Sequence, residues 1–201
     1  INRSSVRFRI HFMSDASTTD RGIVIDNIYL GSRAKLVLAE HFTNYYAANF
    51  NIQNQAINDY MNTHGLTAVD IQYHTNLSGN DNFYTSFASG PRILYYGITS
   101  DQNIVIDGNQ YKGPSSPLFA NLNTYEEFII QRRSLTDNKF DLNMTTSISG
   151  TDVNANITIK ANQAMSGKTL SLRTIVVEKE ITNYNTGSGT YNFESVVRRA
   201  L

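Results

Sequence analysis

The order of apolar and polar positions predicts a chain of short strands and a few helices. Ser5 to Met13 alternates strictly: Val6, Phe8, Ile10 and Phe12 fall on one side of an extended segment, Arg7, Arg9 and His11 on the other. That is the pattern of a strand with one buried face. Gly22 to Leu30 (GIVIDNIYL) predicts a second strand, and the polar stretch between them makes the pair a β-hairpin with a long loop. Ala34 to Phe42 is mostly apolar, as expected of a strand covered on both faces. From Ala48 to His64, Ile52, Ala56, Ile57, Tyr60 and Met61 recur at helical spacing, and Gly65 is a C-terminal stop. Leu66 to His74 predicts the next strand, completing a βαβ unit with a right-handed crossover.

Further along, Asn82 to Tyr95 predicts a helix interrupted at Gly90-Pro91. Asn103 to Asp107 and Gln110 to Lys112, joined through Gly108-Asn109, read as a hairpin. Ser116 to Ser134 reads as a helix, with Asn123 or Thr124 as cap. The texture then changes. Lys139 to Ser147, Asn154 to Ala161, Thr169 to Glu178 and Thr190 to Arg198 are strand-like and separated by Gly-containing turns, which predicts an antiparallel sandwich. The expected division is 1–33 as hairpin, 34–136 as a β-α-β-α-β-β-α domain and 137–201 as a β-sandwich, with the boundary near Leu135 to Asn138.

Composition narrows the chemistry. The 201 residues carry 17 Lys and Arg against 17 Asp and Glu, so no charge-driven partner is implied and a nucleic-acid surface is not expected. No apolar run approaches the roughly 20 residues that span a bilayer as a helix. The absence of cysteine excludes disulfides, thiol nucleophiles and thiolate metal sites. Asn, at about one residue in nine, is well above ordinary usage, and the abundance of Asn, Thr, Ser and Tyr leans toward export. A chain that opens on Ile1 reads as a mature or excised fragment.

Three groups of residues carry a resemblance. Glu40-His41-Phe42-Thr43-Asn44, Tyr95-Tyr96-Gly97-Ile98 with Ile104-Val105-Ile106-Asp107-Gly108, and Val176-Val177-Glu178-Lys179-Glu180-Ile181 with Phe193 and Val196-Val197-Arg198 are similar to the signatures of thioredoxin-like bacterial outer-membrane lipoproteins that carry a C-terminal β-sandwich. The resemblance implies an α+β / α/β chain: a thioredoxin-like domain, then a mainly antiparallel β-sandwich. It also implies a redox pair at positions where Ala47 and Phe50 stand, and a cis-proline where Gln102 stands. Because a non-proline cis bond costs about 2.5–4 kcal/mol, a trans bond is expected at Gln102. Phe8 to Asp15 and Gly22 to Ile28 resemble the last strands of jelly-roll domains of bacterial adhesins and secreted proteases, which implies that the hairpin is a remnant of an upstream domain or, as the alternative, packs on the downstream sheets.

His41 and His74 lie near the C-terminal ends of two strands expected to be parallel neighbours, the edge where open α/β sheets bind ligands. With Tyr45, Tyr46, Ala47, Phe50 and Gln102 they would line a pocket at the degenerate redox position. The plainer reading makes the imidazoles structural and packs the tyrosines under the loop. Asp15, Asp20 and Asp26 are candidate calcium ligands, against ordinary turn chemistry. No other cofactor is expected. Asp70 and Asp107 are a candidate carboxylate pair at strand positions. The function expected from these features is that of a non-catalytic, secreted or cell-surface bacterial protein, a redox-dead scaffold that would bind a peptide, a glycan or another surface protein. One alternative is a non-redox enzyme using His41 and His74. Another is an adhesin or assembly component that pairs through its N-terminal hairpin.

Overall fold

The computed structural model describes residues 35–201 apart from 49, 66, 111–123, 168 and 188. The N-terminal hairpin and the three candidate calcium ligands Asp15, Asp20 and Asp26 lie outside the described residues, as does the start of the helix expected from Ser116.

The chain is a mixed α+β structure rich in strands. Its elements are β1 (Val37–Thr43), α1 (Phe50–His64), β2 (Ala68–His74), α2 (Ser89–Tyr96), β3 (Asn103–Ile106), β4 (Asn109–Gln110), α3 (Thr124–Ser134), β5 (Phe140–Ser149), β6 (Asp152–Ala161), β7 (Ile175–Asn185) and β8 (Thr190–Ala200). Six strands form one sheet in the order β4-β3-β1-β2-β8-β7. β1 and β2 are parallel, with Val37 opposite Ala68 and Thr43 opposite His74. β3 runs antiparallel to β1, and β4 antiparallel to β3.

Alternation along β1 sorts its side chains to two covered faces, as its apolar run anticipates. Val37 and Ala39 pack with Tyr60 of α1 and with Ile129 and Ile130 of α3. Phe42, on the other face, packs with Tyr73, Val105, and Ile93 of α2. The sheet is thus sandwiched between α1 and α3 on one side and α2 on the other. The turn from β3 to β4 runs through Asp107 and Gly108, at φ 50° and 76°, a pair of left-handed residues whose twist suits a two-residue hairpin.

Two expectations are corrected. Gly90-Pro91 does not interrupt a helix. Residues 81–88 form turns, and α2 begins at Ser89, so Pro91 sits in the first turn, where a missing N–H costs no helical hydrogen bond. Gly97, at φ 61°, ends the helix in a left-handed cap, with its N–H bonding back into the last turn. The four C-terminal strands also fall into two antiparallel pairs, β5 with β6 and β7 with β8, that belong to different sheets. β8 lies beside β2 in parallel, through Gln72 opposite Val196, and carries β7 with it as the sheet edge. Only β5 and β6 form a sheet of their own. The reason is local: Phe193, Val196 and Val197 of β8 are fully buried by the elements around β2, while β5 and β6 are exposed along nearly their whole length.

Candidate functional site

The parallel register of β1 and β2 sets the site. His41 stands opposite Gln72 and Thr43 opposite His74, so the four side chains form a cross-strand group on one face. That face meets α1: the Gln72 amide donates to Asn54 Oδ1 at 2.7 Å, and Asn54 in turn donates to the Asn192 carbonyl of β8 at 2.9 Å. All four are buried, and His41 Nδ1, Thr43 Oγ1, Gln72 Oε1 and His74 Nε2 have no hydrogen-bond partner among the described residues. Burial, with the neighbouring His74 adding to it, lowers the His41 pKa to about 3, so this imidazole stays neutral.

His74 has a carboxylate partner in the loop that follows β2. Its Nδ1 lies 2.8 Å from Asp81 Oδ2, with both side chains wholly enclosed. Asp81 also accepts the backbone N–H of Tyr45 on Oδ2 and that of Phe83 on Oδ1. It therefore holds β2, the turn after β1 and the 81–83 turn together. A signal for it was present, since Asp-Asn in a polar loop favours a local side-chain turn. Asp81 engages Nδ1, which leaves Nε2 on the opposite side of the ring. Nε2 has no hydrogen-bond partner among the described residues, and the ring packs edge-on against Phe83 and Phe193 at 5.1 and 5.3 Å.

The positions expected to line a pocket are mostly filled. Tyr45 and Phe50 are 4% and 3% exposed and join Phe83, Phe193 and Val196 in one cluster, with Phe50 stacked on Phe193 at 5.5 Å. The Tyr45 hydroxyl accepts the Asn82 N–H, and burial pushes its pKa up to about 12. Tyr46 points outward, 53% exposed. Its ring lies over Gly79 so closely that a Cβ there would come within 2.7 Å of it. Asn44 ties down this turn, donating to the Thr75 and Gly79 carbonyls and accepting from Tyr46 N–H. Ala47 is half-buried beside the cluster.

Gln102 occupies the facing loop at φ 67° with a trans peptide. Its N–H donates to the Phe42 carbonyl at 2.7 Å, and its side-chain amide donates to the Ala48 carbonyl. A proline could make neither bond. Asp70 and Asp107 do not form a pair. Asp70 stands opposite Ala39 on β2, whereas Asp107 exchanges hydrogen bonds with Leu38 from the β3 side, so β1 runs between them. Asp107 is held by Lys35 and Arg133. Asp70 lines a groove of about 570 Å³ with Lys179 and Glu194, and burial pushes its carboxyl up to about 8, with the Glu194 charge adding to the shift. Among the described residues no group of three or more His, Asp or Glu is placed to hold a metal.

No sequence-family profile matches the chain, and no curated protein matches it. Among solved structures it is similar to a protein of Agrobacterium tumefaciens determined by the Northeast Structural Genomics Consortium, with a TM-score of 0.53 and 13% identity over 87% of this chain and 73% of that one. At that identity the likeness concerns the fold alone.

Proposed function

We propose that this chain is a non-catalytic scaffold and binding module of an exported bacterial protein, built on a thioredoxin-like core whose redox position has been packed shut. The element order β-α-β-α-β-β-α, with β1 and β2 parallel and β3 and β4 antiparallel, supports the thioredoxin-like reading. The observation that carries the loss of catalysis is the burial of Tyr45 and Phe50 in the Phe83–Phe193 cluster, in a chain without a single thiol. Thiol–disulfide exchange has no nucleophile here. What is left outside is a rim formed by Tyr46, Ala47 and Gln102, on which a peptide, a glycan or another surface protein would rest. An export address is supported by composition alone. No helix among the described residues is long and apolar enough to cross a membrane.

The His74–Asp81 pair favours a second reading, a non-redox enzyme, because a carboxylate orienting an imidazole is the arrangement of a general base. It ranks below the first because His74 Nε2 is enclosed by aromatic rings, out of reach of a substrate. The two readings part in one assay. Wild type and His74→Gln, given activated esters, glycosides and phosphate esters, are expected to be equally inactive. Turnover by the wild type that His74→Gln abolishes would establish the enzyme instead.

A further inference from the structure

The β5–β6 hairpin has one wholly uncharged, largely apolar face. Residues directly opposite each other share a face, and the register pairs Phe140 with Ala161, Leu142 with Ile159, Met144 with Ile157, Thr146 with Ala155 and Ile148 with Val153. The intervening pairs, among them Asp141 with Lys160 and Ser149 with Asp152, make the other face polar. Strict alternation of this kind is the mark of a ribbon built to cover something. Yet Leu142, Met144, Ile148 and Val153 are each at least 60% exposed. A two-stranded ribbon with an uncovered apolar face is marginal in water.

We propose that this face packs against the same face of a second copy of the chain, as a symmetric four-stranded sandwich. Self-recognition is favoured on three grounds. The face carries no charge, so two copies meet without like charges in contact. Its five layers are complementary under a two-fold axis lying across the strands at Met144 and Ile157. Under that axis the bulky Leu142–Ile159 layer of one copy meets the small Thr146–Ala155 layer of the other, and Phe140–Ala161 meets Ile148–Val153. Such an interface is isologous and closes as a dimer. Its size also fits. Leu142, Met144, Ile148, Val153 and Ile159 at roughly 60–120 Å² apiece in both copies give on the order of 600–1,200 Å², around the lower limit for a specific, weak contact. The inference stands whether or not the functional reading above does.

Light scattering and sedimentation across the micromolar range test it, with a dissociation constant on the order of 1–100 µM expected. Met144→Lys is expected to leave a monomer with an unchanged main-sheet melting transition, since no hydrophobic core cluster among the described residues includes the hairpin. Ala155→Leu is the sharper variant. It adds apolar surface, so mere stickiness would increase association, whereas a filled notch is expected to weaken the dimer at least tenfold. The proposal is overturned by a dimer that survives Met144→Lys, by tighter association of Ala155→Leu, or by a strict monomer that binds no apolar dye, in which case the face is covered from within its own chain.

Discussion

Arg92 grips Glu40 with two parallel bonds, Nε to Oε1 at 2.6 Å and a terminal nitrogen to Oε2 at 2.8 Å, and the carboxylate is 1% exposed. This pair locks α2 onto the centre of β1. The Tyr96 hydroxyl donates a third bond to Oε2, and burial together with the Glu40 carboxylate raises the Tyr96 pKa. The guanidinium also lies over the Tyr96 ring, 4.5 Å from its centroid.

Because the pair is desolvated, breaking it from one side is expected to cost more than removing it whole. Glu40→Gln leaves a partly buried cation without its counter-charge and should lower stability by about 3 kcal/mol. Glu40→Met with Arg92→Leu should cost much less than the sum of the single changes. A double-mutant cycle by urea denaturation measures the difference. Additive costs would show that the two residues act independently.

Gln102 is held in a conformation that proline cannot adopt. Its φ of 67° lies far from proline's fixed value near −65°, and its N–H serves the Phe42 carbonyl. Gln102→Pro is therefore expected to lose about 3 kcal/mol or more. Gln102→Gly relieves the left-handed strain and loses only the side-chain bond to Ala48, so its stability should stay within about 1 kcal/mol of wild type. Thermal unfolding of the two variants separates the cases. A well-tolerated proline would mean that the left-handed backbone and the bond to Phe42 contribute little to stability.

His41 and Asp70 shape the dependence of stability on pH in opposite senses. Unfolded His41 takes a proton near 6.5, whereas folded His41 resists down to about 3. Across that window the unfolded state binds more protons, so this contribution is complete above 6.5 and fades as pH falls toward 3. Folded Asp70 keeps its proton up to about 8, whereas the unfolded carboxyl releases it near 3.8. Its contribution is complete below 3.8 and fades as pH rises toward 8. Between about 4 and 6.5 the two slopes oppose each other and a plateau in melting temperature is expected, with a decline on either side. His41→Leu should flatten the acid limb and Asp70→Asn the limb between pH 6.5 and 8. A curve that neither variant changes would remove these groups from the account.

Much of the core was legible along the chain. The order of strands and helices from β1 to α3 follows from where period-two and helical patterns begin and end. The double covering of β1 follows from its apolar run, because only a strand packed on both sides tolerates one. The absence of thiol chemistry follows from composition, since no folding can supply an absent atom. Tertiary structure decided the rest. That Asp81 would reach His74, or Arg92 reach Glu40, depends on loops and crossovers that bring distant segments together, and periodicity says nothing about such meetings. That Tyr45 and Phe50 would be buried rather than line a pocket was decided by Phe193, well over 100 residues away. The same holds for β7 and β8. Their alternation marks them as strands, but an alternating strand states only that it has a face to bury. Which sheet receives it is settled by the surface left open beside β2.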